Sequence, residues 1–408
     1  MQMKVKYARN VLPIAILLVI TLSFIYGFYS VNNVEETKNI DLKKTVTPTI
    51  ITTVTKKITE IIATGAATLF PSNIQAGSQW YVSPSGNDSS DGRSMDQAFK
   101  TVQKALDVAA PGSTINLQPG EYRQDFITKR DGTSDNPITI KGPKEATVKG
   151  AGNGRVIEIN HDYLVLDGFT VDGRHASTNS QDDYRDKLIY AQGKGQHDGV
   201  NGLKIYNMTI TNAGGECVRL RYYAQNNEIA YNSISNCGNH DYRYDDGGKN
   251  GEGIYIGTAP EQRGDGKNPT KDNDESNSNW IHHNYFNTQG NECVDIKENS
   301  KFNIVENNTC TGQKDPESGG LDARGGSNIF RYNEIYENEG AGVRLGGDTV
   351  GENINNEVYE NTIRNNKKGG IKIMEIPQGK ICGNIMSGNG GGDAVGEYGE
   401  DFDPTKGC

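Results

Sequence analysis

Apolar residues are scarce in this chain. They make up only 34% of 408 residues, with 8% aromatic and just 2 Trp, which excludes a compact globule built on a thick core. Positive charge is also short: 42 Lys and Arg stand against 52 Asp and Glu, a formal net charge of −10. A general nucleic-acid binder needs a broad basic face to replace counterions, so that class is excluded too. No CxxC pairing occurs among the cysteines, which removes the common zinc frameworks. No amphipathic helical pattern alternates with the strand-like runs, so an α/β winding is not expected.

Long hydrophobic runs are equally rare. The one that stands out runs from Val11 to Tyr29 behind Lys4, Lys6 and Arg9, and it is about long enough to span a bilayer. A cleaved signal would have a shorter apolar stretch followed by small residues, whereas Tyr26, Phe28 and Tyr29 precede Ser30, Val31 and two asparagines. The expected organisation is a cytoplasmic basic segment at 1–10, a transmembrane signal-anchor at 11–29, a stalk at 30–78 and a folded domain at 79–408. The basic flank puts everything after Ser30 outside the cytoplasm. Cleavage of the segment would make the protein secreted.

What the chain has in quantity is turn grammar. It carries 50 Gly, and from Thr114 onward short β-rich runs such as TINLQPGEY, PITIKG and LKIYNMTI are bounded by Asn, Asp and Gly. Self-similarity then sets the architecture. Asn207, Asn232, Asn284, Asn308, Asn333, Asn361 and Asn384 each sit in an I/V-x-x-N-x-apolar phrase, and Asp167 is expected to begin the series. A second column lies five residues earlier at Asn227, Asn279, Asn303, Asn328 and Asn356. Stacked asparagine amides bond from coil to coil and tolerate a left-handed corner. The expected fold is all-β, a right-handed single-stranded parallel β-helix. It is capped by a short N-terminal helix in FKTVQKALDVA, where Phe99, Val102, Ala105 and Leu106 share a face, and it carries polar insertions at 173–200 and 238–278.

The cysteines Cys217, Cys237, Cys293, Cys310, Cys382 and Cys408 all follow the apolar run. Three disulfides in an oxidising compartment are one reading, with Cys382 joined to Cys408 over the last coil. Buried free thiols in the first four are the other.

A further column carries chemistry. ECVRLR from Glu216, EGIYIG from Glu252, ECVDIK from Glu292, GLDAR ending at Arg324, GVRLGG from Gly342 and GIKIM from Gly370 align as one strand of successive coils. Alternation sends Val218, Ile254, Val294, Leu321, Val343 and Ile371 inward and the residues between them toward solvent. The outward positions place Lys297 one coil from Arg324, with Arg219, Tyr255, Asp295, Asp322 and Arg344 in a neighbouring column and Glu216, Glu252 and Glu292 at the strand starts. Stacked carboxylates repel unless a cation intervenes. The set suits β-elimination on a uronic acid, which needs the sugar carboxylate neutralised, the C5 proton removed and the leaving oxygen protonated. In this reading Lys297 is the base, its pKa lowered by neighbouring arginines. Arg324 is the acid or charge stabiliser, and Glu292, Glu252 and Asp295 hold Ca²⁺. Arg221, Arg344, Tyr255 and Arg219 bind substrate.

ECVDIKENSKFNIVENNTC and the following GGLDARGGSNIFRYNEIYENEGAGVRLGGD resemble the β-helical polysaccharide lyases of the alginate lyase and chondroitinase B group. More loosely, WYVSPSGND onward resembles the wider pectate-lyase-like superfamily. The resemblance implies a lysine base at Lys297, an arginine on the next coil at Arg324 and a calcium-binding glutamate at Glu292. The chain departs from the group at Gly325-Gly326, near which the group has a histidine, and at Cys293 and Asp295. The expected function is a membrane-anchored, monomeric lyase whose partner is an acidic polysaccharide. The alternative is a non-catalytic surface β-helix that binds glycans or forms part of the envelope. An epimerase would use the same proton abstraction, but the motif Asp-Pro-His-Asp is absent.

Overall fold

The computed structural model describes residues 77–347 and 349–408. The basic segment, the apolar run and the stalk as far as residue 76 lie outside them. Among the described residues no helix is long and apolar enough to cross a membrane.

Each coil gives one short strand to each of three parallel sheets, which hold 11, 10 and 10 strands. The first sheet runs from Gln79–Val82 to Ile381–Cys382, the second from Gly120–Tyr122 to Ile385–Ser387, and the third from Phe126–Ile127 to Ala394–Val395. This is the right-handed parallel β-helix expected from the repeat. In most of the three-residue strands of the first two sheets the middle residue is buried. Ile205, Ile229, Ile281, Val305, Phe330 and Val358 stack in register down the first sheet and are fully buried. One apolar side chain per strand is enough because neighbouring coils cover it above and below, and this is how so apolar-poor a chain builds a core.

The corners are held by amides. Asn232, Asn284, Asn308, Asn333, Asn361 and Asn384 form a buried ladder, each side-chain N–H₂ donating to the next amide oxygen at 2.9–3.1 Å. The ladder Asn227, Asn279, Asn303, Asn328 and Asn356 runs beside it. A third ladder, Asn338, Asn366 and Asn389, was not read from the sequence.

Two expectations about the first ladder are corrected by the register. Thr209 pairs with Ser233 and with Thr170, so Met208 and Phe169, not Asn207 and Asp167, occupy the ladder position. Asn207 lies one residue early, on the outside, donating to Asp167 at 2.8 Å. The left-handed backbone belongs to that preceding position, with φ of 61° at Tyr231, 54° at His283 and 57° at Tyr332. The ladder asparagines therefore serve as amide clasps, and the residues before them make the corner.

Helix α1, Val102–Val108, closes the N-terminal end. Thr101 caps it by accepting from the Lys104 N–H, and Val102, Ala105 and Leu106 face the core. Phe99 lies before the helix and stacks on Trp80 with ring centroids 5.8 Å apart. All six cysteines are paired, as Cys217–Cys237, Cys293–Cys310 and Cys382–Cys408, which fits an oxidising compartment. The region 173–200, expected to be an insertion, contains a full strand of the third sheet, Lys187–Gln192. The sequence KLIYAQ hides it because five successive residues are buried and no alternation shows.

Candidate functional site

The third sheet carries the site. Its register is that of the aligned phrases: Arg219 pairs with Tyr255, Tyr255 with Asp295, Asp295 with Asp322, Asp322 with Arg344 and Arg344 with Lys372. Successive coils are about 4.8 Å apart, so side chains three coils distant in space come from residues far apart in the chain.

One expectation about this face is overturned. The positions between the inward residues do not face solvent: Arg219, Arg221 and Tyr255 are each 2% exposed, Asp295 0% and Lys297 6%. For Arg219 and Arg221 the cause is the insertion 238–278, which folds back over the sheet. Gln262 accepts from Arg219 Nη2 at 2.9 Å, Asn268 accepts from Arg221 Nε at 2.6 Å, and Asp265 accepts from Arg221 Nη2 at 2.9 Å. Arg219 also donates to Glu216 at 2.6 Å and lies 3.5 Å over the Tyr255 ring. Arg219 and Arg221, expected to bind substrate, thus donate to the protein itself, with Arg219 Nε left without a hydrogen-bond partner among the described residues.

Glu216 leaves the carboxylate column in the same way. Lys187 lies 2.7 Å from it and Arg219 closes the other side. Burial works to raise its pKa, but the two cations outweigh burial and hold it at about 2.

The next two coils differ. Glu252, Glu292 and Asp295, all buried, bring one oxygen each within 4.8 Å of one another. Burial and the facing carboxylates push Glu252 up to about 7 and Glu292 well above the ordinary carboxylate range. Gly251 N–H donates to Glu252 at 2.9 Å, Ser318 Oγ donates to Glu292, and the second oxygen of Glu292 has no hydrogen-bond partner. Three crowded, dehydrated carboxylates with spare oxygens are donors of the type that could hold a hard cation.

Lys297 Nζ stands 2.6 Å from Asp295 Oδ2 and 4.6 Å over the Tyr255 ring. Burial alone would lower the lysine pKa, but Asp295 and Tyr255 outweigh it and raise it above the ordinary value. The expected lowering is therefore reversed, because the nearest charge is a carboxylate and not an arginine. Asp295 is correspondingly lowered, burial notwithstanding, by Lys297 and Arg324. Arg324 is 20% exposed, with Nε 3.7 Å from Asp322 and 4.0 Å from Asp295. Arg344 donates to Asp322 at 2.9 Å. The hydroxyl of Tyr255 is buried without a hydrogen-bond partner, and burial pushes it up to about 12.

The structure thus gathers Glu252, Glu292, Asp295, Lys297, Arg324, Tyr255 and Arg344 at one place, with Arg219 over the Tyr255 ring and Arg221 held by the insertion. Sequence reasoning missed Ser318, which also donates to Asp322 at 3.1 Å. It sits in the turn before its strand, where no periodicity marks it. Tyr242, on the insertion, was named only as one of several tyrosines. Its hydroxyl is buried and its pKa is raised by burial and then by Asp315, Glu292 and Glu252.

By fold the chain is a right-handed parallel β-helix protein, with an acidic and basic cluster on one sheet. Among solved structures it is similar to an alginate lyase from Paenibacillus sp. str. FPU-7, with a TM-score of 0.57 and 21% identity over 72% of this chain and 96% of that one. Pectate lyase Pel9A matches at a TM-score of 0.48 and 13% identity, covering 77% of this chain and 72% of that one. Among curated proteins, an uncharacterized protein, YwoF, of Bacillus subtilis (strain 168) is 24% identical over 156 residues. That match spans 38% of this chain and 28% of the relative. No family model matches. At such identities the likeness speaks for the fold.

Proposed function

We propose that this protein is a polysaccharide lyase that cleaves a uronic-acid-containing glycan by β-elimination outside the cytoplasm, anchored through residues 11–29. One observation carries the reading: the convergence of Glu252, Glu292 and Asp295 within 4.8 Å, beside the Lys297 amine and one coil from Arg324.

The residues fit Ca²⁺, since all three donors are hard oxygens and two of them resist ionisation where they stand. When bound, the cation supplies neutralisation of the sugar carboxylate and competes with Lys297 for Asp295. The chain's own groups do the rest. Lys297, acting as the neutral amine once Asp295 is engaged elsewhere, takes the C5 proton, a double bond forms between C4 and C5 as the C4–O bond breaks, and the leaving oxygen takes its proton from the Lys297 ammonium so formed. Arg324, the more exposed of the two cations, steadies the charge that develops on the sugar carboxylate. Arg344 extends this surface by one coil and binds the neighbouring uronate. Tyr255 lines the floor.

The second reading, a non-catalytic glycan-binding β-helix, is favoured by the Lys297–Asp295 pair, which by itself keeps the amine charged. The two are separated by incubating the full chain with alginate, pectate and unsulfated chondroitin in Ca²⁺ and following ultraviolet absorbance of the unsaturated product. Absorbance that grows with time and vanishes in Lys297→Ala supports the lyase. Binding of any of these polymers without absorbance supports the second reading.

A further inference from the structure

The third sheet continues beyond the acidic cluster toward the N-terminal coils. Its central column runs back from Asp295 through Tyr255, Arg219 and Tyr190 to Glu158, so Tyr190 stands three coils from Asp295. Over these first coils lies a cavity of about 620 Å³, within the range of small-molecule sites. Arg155 and Glu158 of the strand Arg155–Ile159 line it, with Tyr190 of the strand Lys187–Gln192 and, from the insertion, Lys267. A second cavity of about 300 Å³ shares Arg155, Glu158 and Lys267 with it.

The groups around this cavity hold unused hydrogen-bonding capacity of both kinds. The Arg155 guanidinium lies 3.6 Å over the Tyr190 ring and, among the described residues, makes no hydrogen bond; the Lys267 amine makes none either. Glu158 accepts only from Asn160, at 3.1 Å, and Asp186 only from Lys187, through one oxygen at 2.8 Å. The Tyr190 hydroxyl is buried without a partner. Charge, by contrast, is already balanced. Arg155 lies 3.3 Å from Glu158, Lys187 2.8 Å from Asp186, and Arg221 and Lys267 lie 2.9 and 3.7 Å from Asp265. Spare donors beside spare acceptors suit hydroxyls, each of which donates and accepts. A ligand carboxylate would instead meet Glu158 and Asp186 with no uncommitted cation in the lining to answer it.

We propose that this cavity is a second glycan site, which takes a neutral sugar whose hydroxyls donate to Glu158 and Asp186 and accept from Arg155 and Lys267. Taking that sugar to be a unit of the same polymer rests on the lyase reading, and the polymer then carries neutral sugars among its uronates. The binding itself needs neither a cation at the acidic cluster nor the Lys297 amine.

The test titrates the full chain with glucose, galactose, mannose, xylose and N-acetylglucosamine, and with glucuronate and galacturonate, followed by saturation-transfer NMR. At least one neutral sugar is expected to bind, equally well in Lys297→Ala and in the presence of a chelator. Arg155→Gln and Glu158→Gln are each expected to weaken that binding about 10-fold. The Lys267 side chain is 58% exposed, so Lys267→Ala removes a donor without touching the core and should weaken binding in the same direction. The site is overturned by any of four results: no neutral sugar binds, a uronate binds more tightly than all of them, binding disappears in Lys297→Ala, or binding is unchanged in Arg155→Gln, Glu158→Gln and Lys267→Ala alike. Neutral-sugar binding of the expected kind with no cleavage of any polymer leaves the site standing and removes the lyase reading. Cleavage of a polymer by a chain that binds no neutral sugar does the opposite.

Discussion

The Lys297 ammonium and the Asp295 carboxylate lie 2.6 Å apart at the end of one strand, both buried. One partner is the proposed base and the other a proposed cation ligand, so the charge state of the amine is tied to what Asp295 is doing. Each change to either residue tests both roles.

Lys297→Ala is expected to lower turnover by about 10²–10⁴-fold, the usual contribution of a positioned acid or base. It also leaves Asp295 buried without its cation, and breaking a buried pair from one side costs about 3–5 kcal/mol. Thermal melts without added metal should show that loss, and Ca²⁺ should recover much of it. Lys297→Arg keeps the pair, and is expected to keep stability while losing turnover. Full activity in Lys297→Ala would remove the residue from the chemistry.

Cation dependence should follow pH in a definite direction. A carboxyl whose folded pKa lies above its unfolded value contributes stability while protonated, and that contribution is lost as pH rises through the folded value. For Glu252 the window runs from the ordinary 4.5 to about 7, and Glu292 is raised in the same sense. The metal-free protein is therefore expected to lose melting temperature between these values. Ca²⁺ should stabilise little at the acid end and increasingly as pH rises and the two raised carboxyls ionise. Glu216 behaves oppositely: its stabilisation is complete above 4.5 and is lost only as pH falls toward about 2. Glu292→Gln should flatten the cation response. A Ca²⁺ increment independent of pH, or one surviving in Glu292→Gln, would place the ion elsewhere.

The register of the third sheet was legible in the sequence because its phrases alternate cleanly: Val218, Ile254, Val294, Leu321, Val343 and Ile371 pair as the alignment placed them. From that register the proximity of Glu252, Glu292, Asp295, Lys297 and Arg324 followed. What was not legible was anything set by the insertion. Alternation says which side of a strand a residue occupies, but an irregular loop with no period decides whether that side is wet. Arg219 and Arg221 were read as exposed for that reason. The one-residue slip at Asn207 has a different origin. Asn207 and Asn232 both precede an apolar β-run, and the αL corner accepts asparagine as readily as the ladder does.

That slip yields its own stability test. Asn308 is buried and donates to the Ile281 carbonyl at 2.9 Å, the Glu306 carbonyl at 3.0 Å and Asn333 at 3.1 Å, while accepting from Asn284. Asn308→Ala strands several of these groups, each costing about 1–3 kcal/mol when left unsatisfied. Asn207→Gly keeps the left-handed corner and removes only a surface contact, so its cost is expected within about 0.5 kcal/mol. Denaturant melts of the two variants compare them directly. Equal losses would mean that Asn207 belongs to the ladder after all.

The last ladder asparagine meets no further coil, and the tail substitutes for one. Asn384 donates through its backbone N–H at 2.9 Å and its side chain at 3.1 Å to the Pro404 carbonyl, and the Gly383 N–H donates to Lys406 at 2.6 Å. Cys408 is bonded to Cys382 in the last strand of the first sheet, which holds these acceptors against the open end. An uncovered terminal coil presents unpaired N–H and C=O groups in register for another chain. Truncation after Val395 is therefore expected to give a species whose mass by light scattering rises with concentration more steeply than that of the full chain. Cys408→Ser, which keeps the tail and loses the tether, should do so more weakly. The same reasoning predicts that reductant alone shifts the unaltered protein toward the Cys408→Ser behaviour. If the truncated chain stays monomeric at every concentration, the tail is not what keeps the end of the solenoid from pairing.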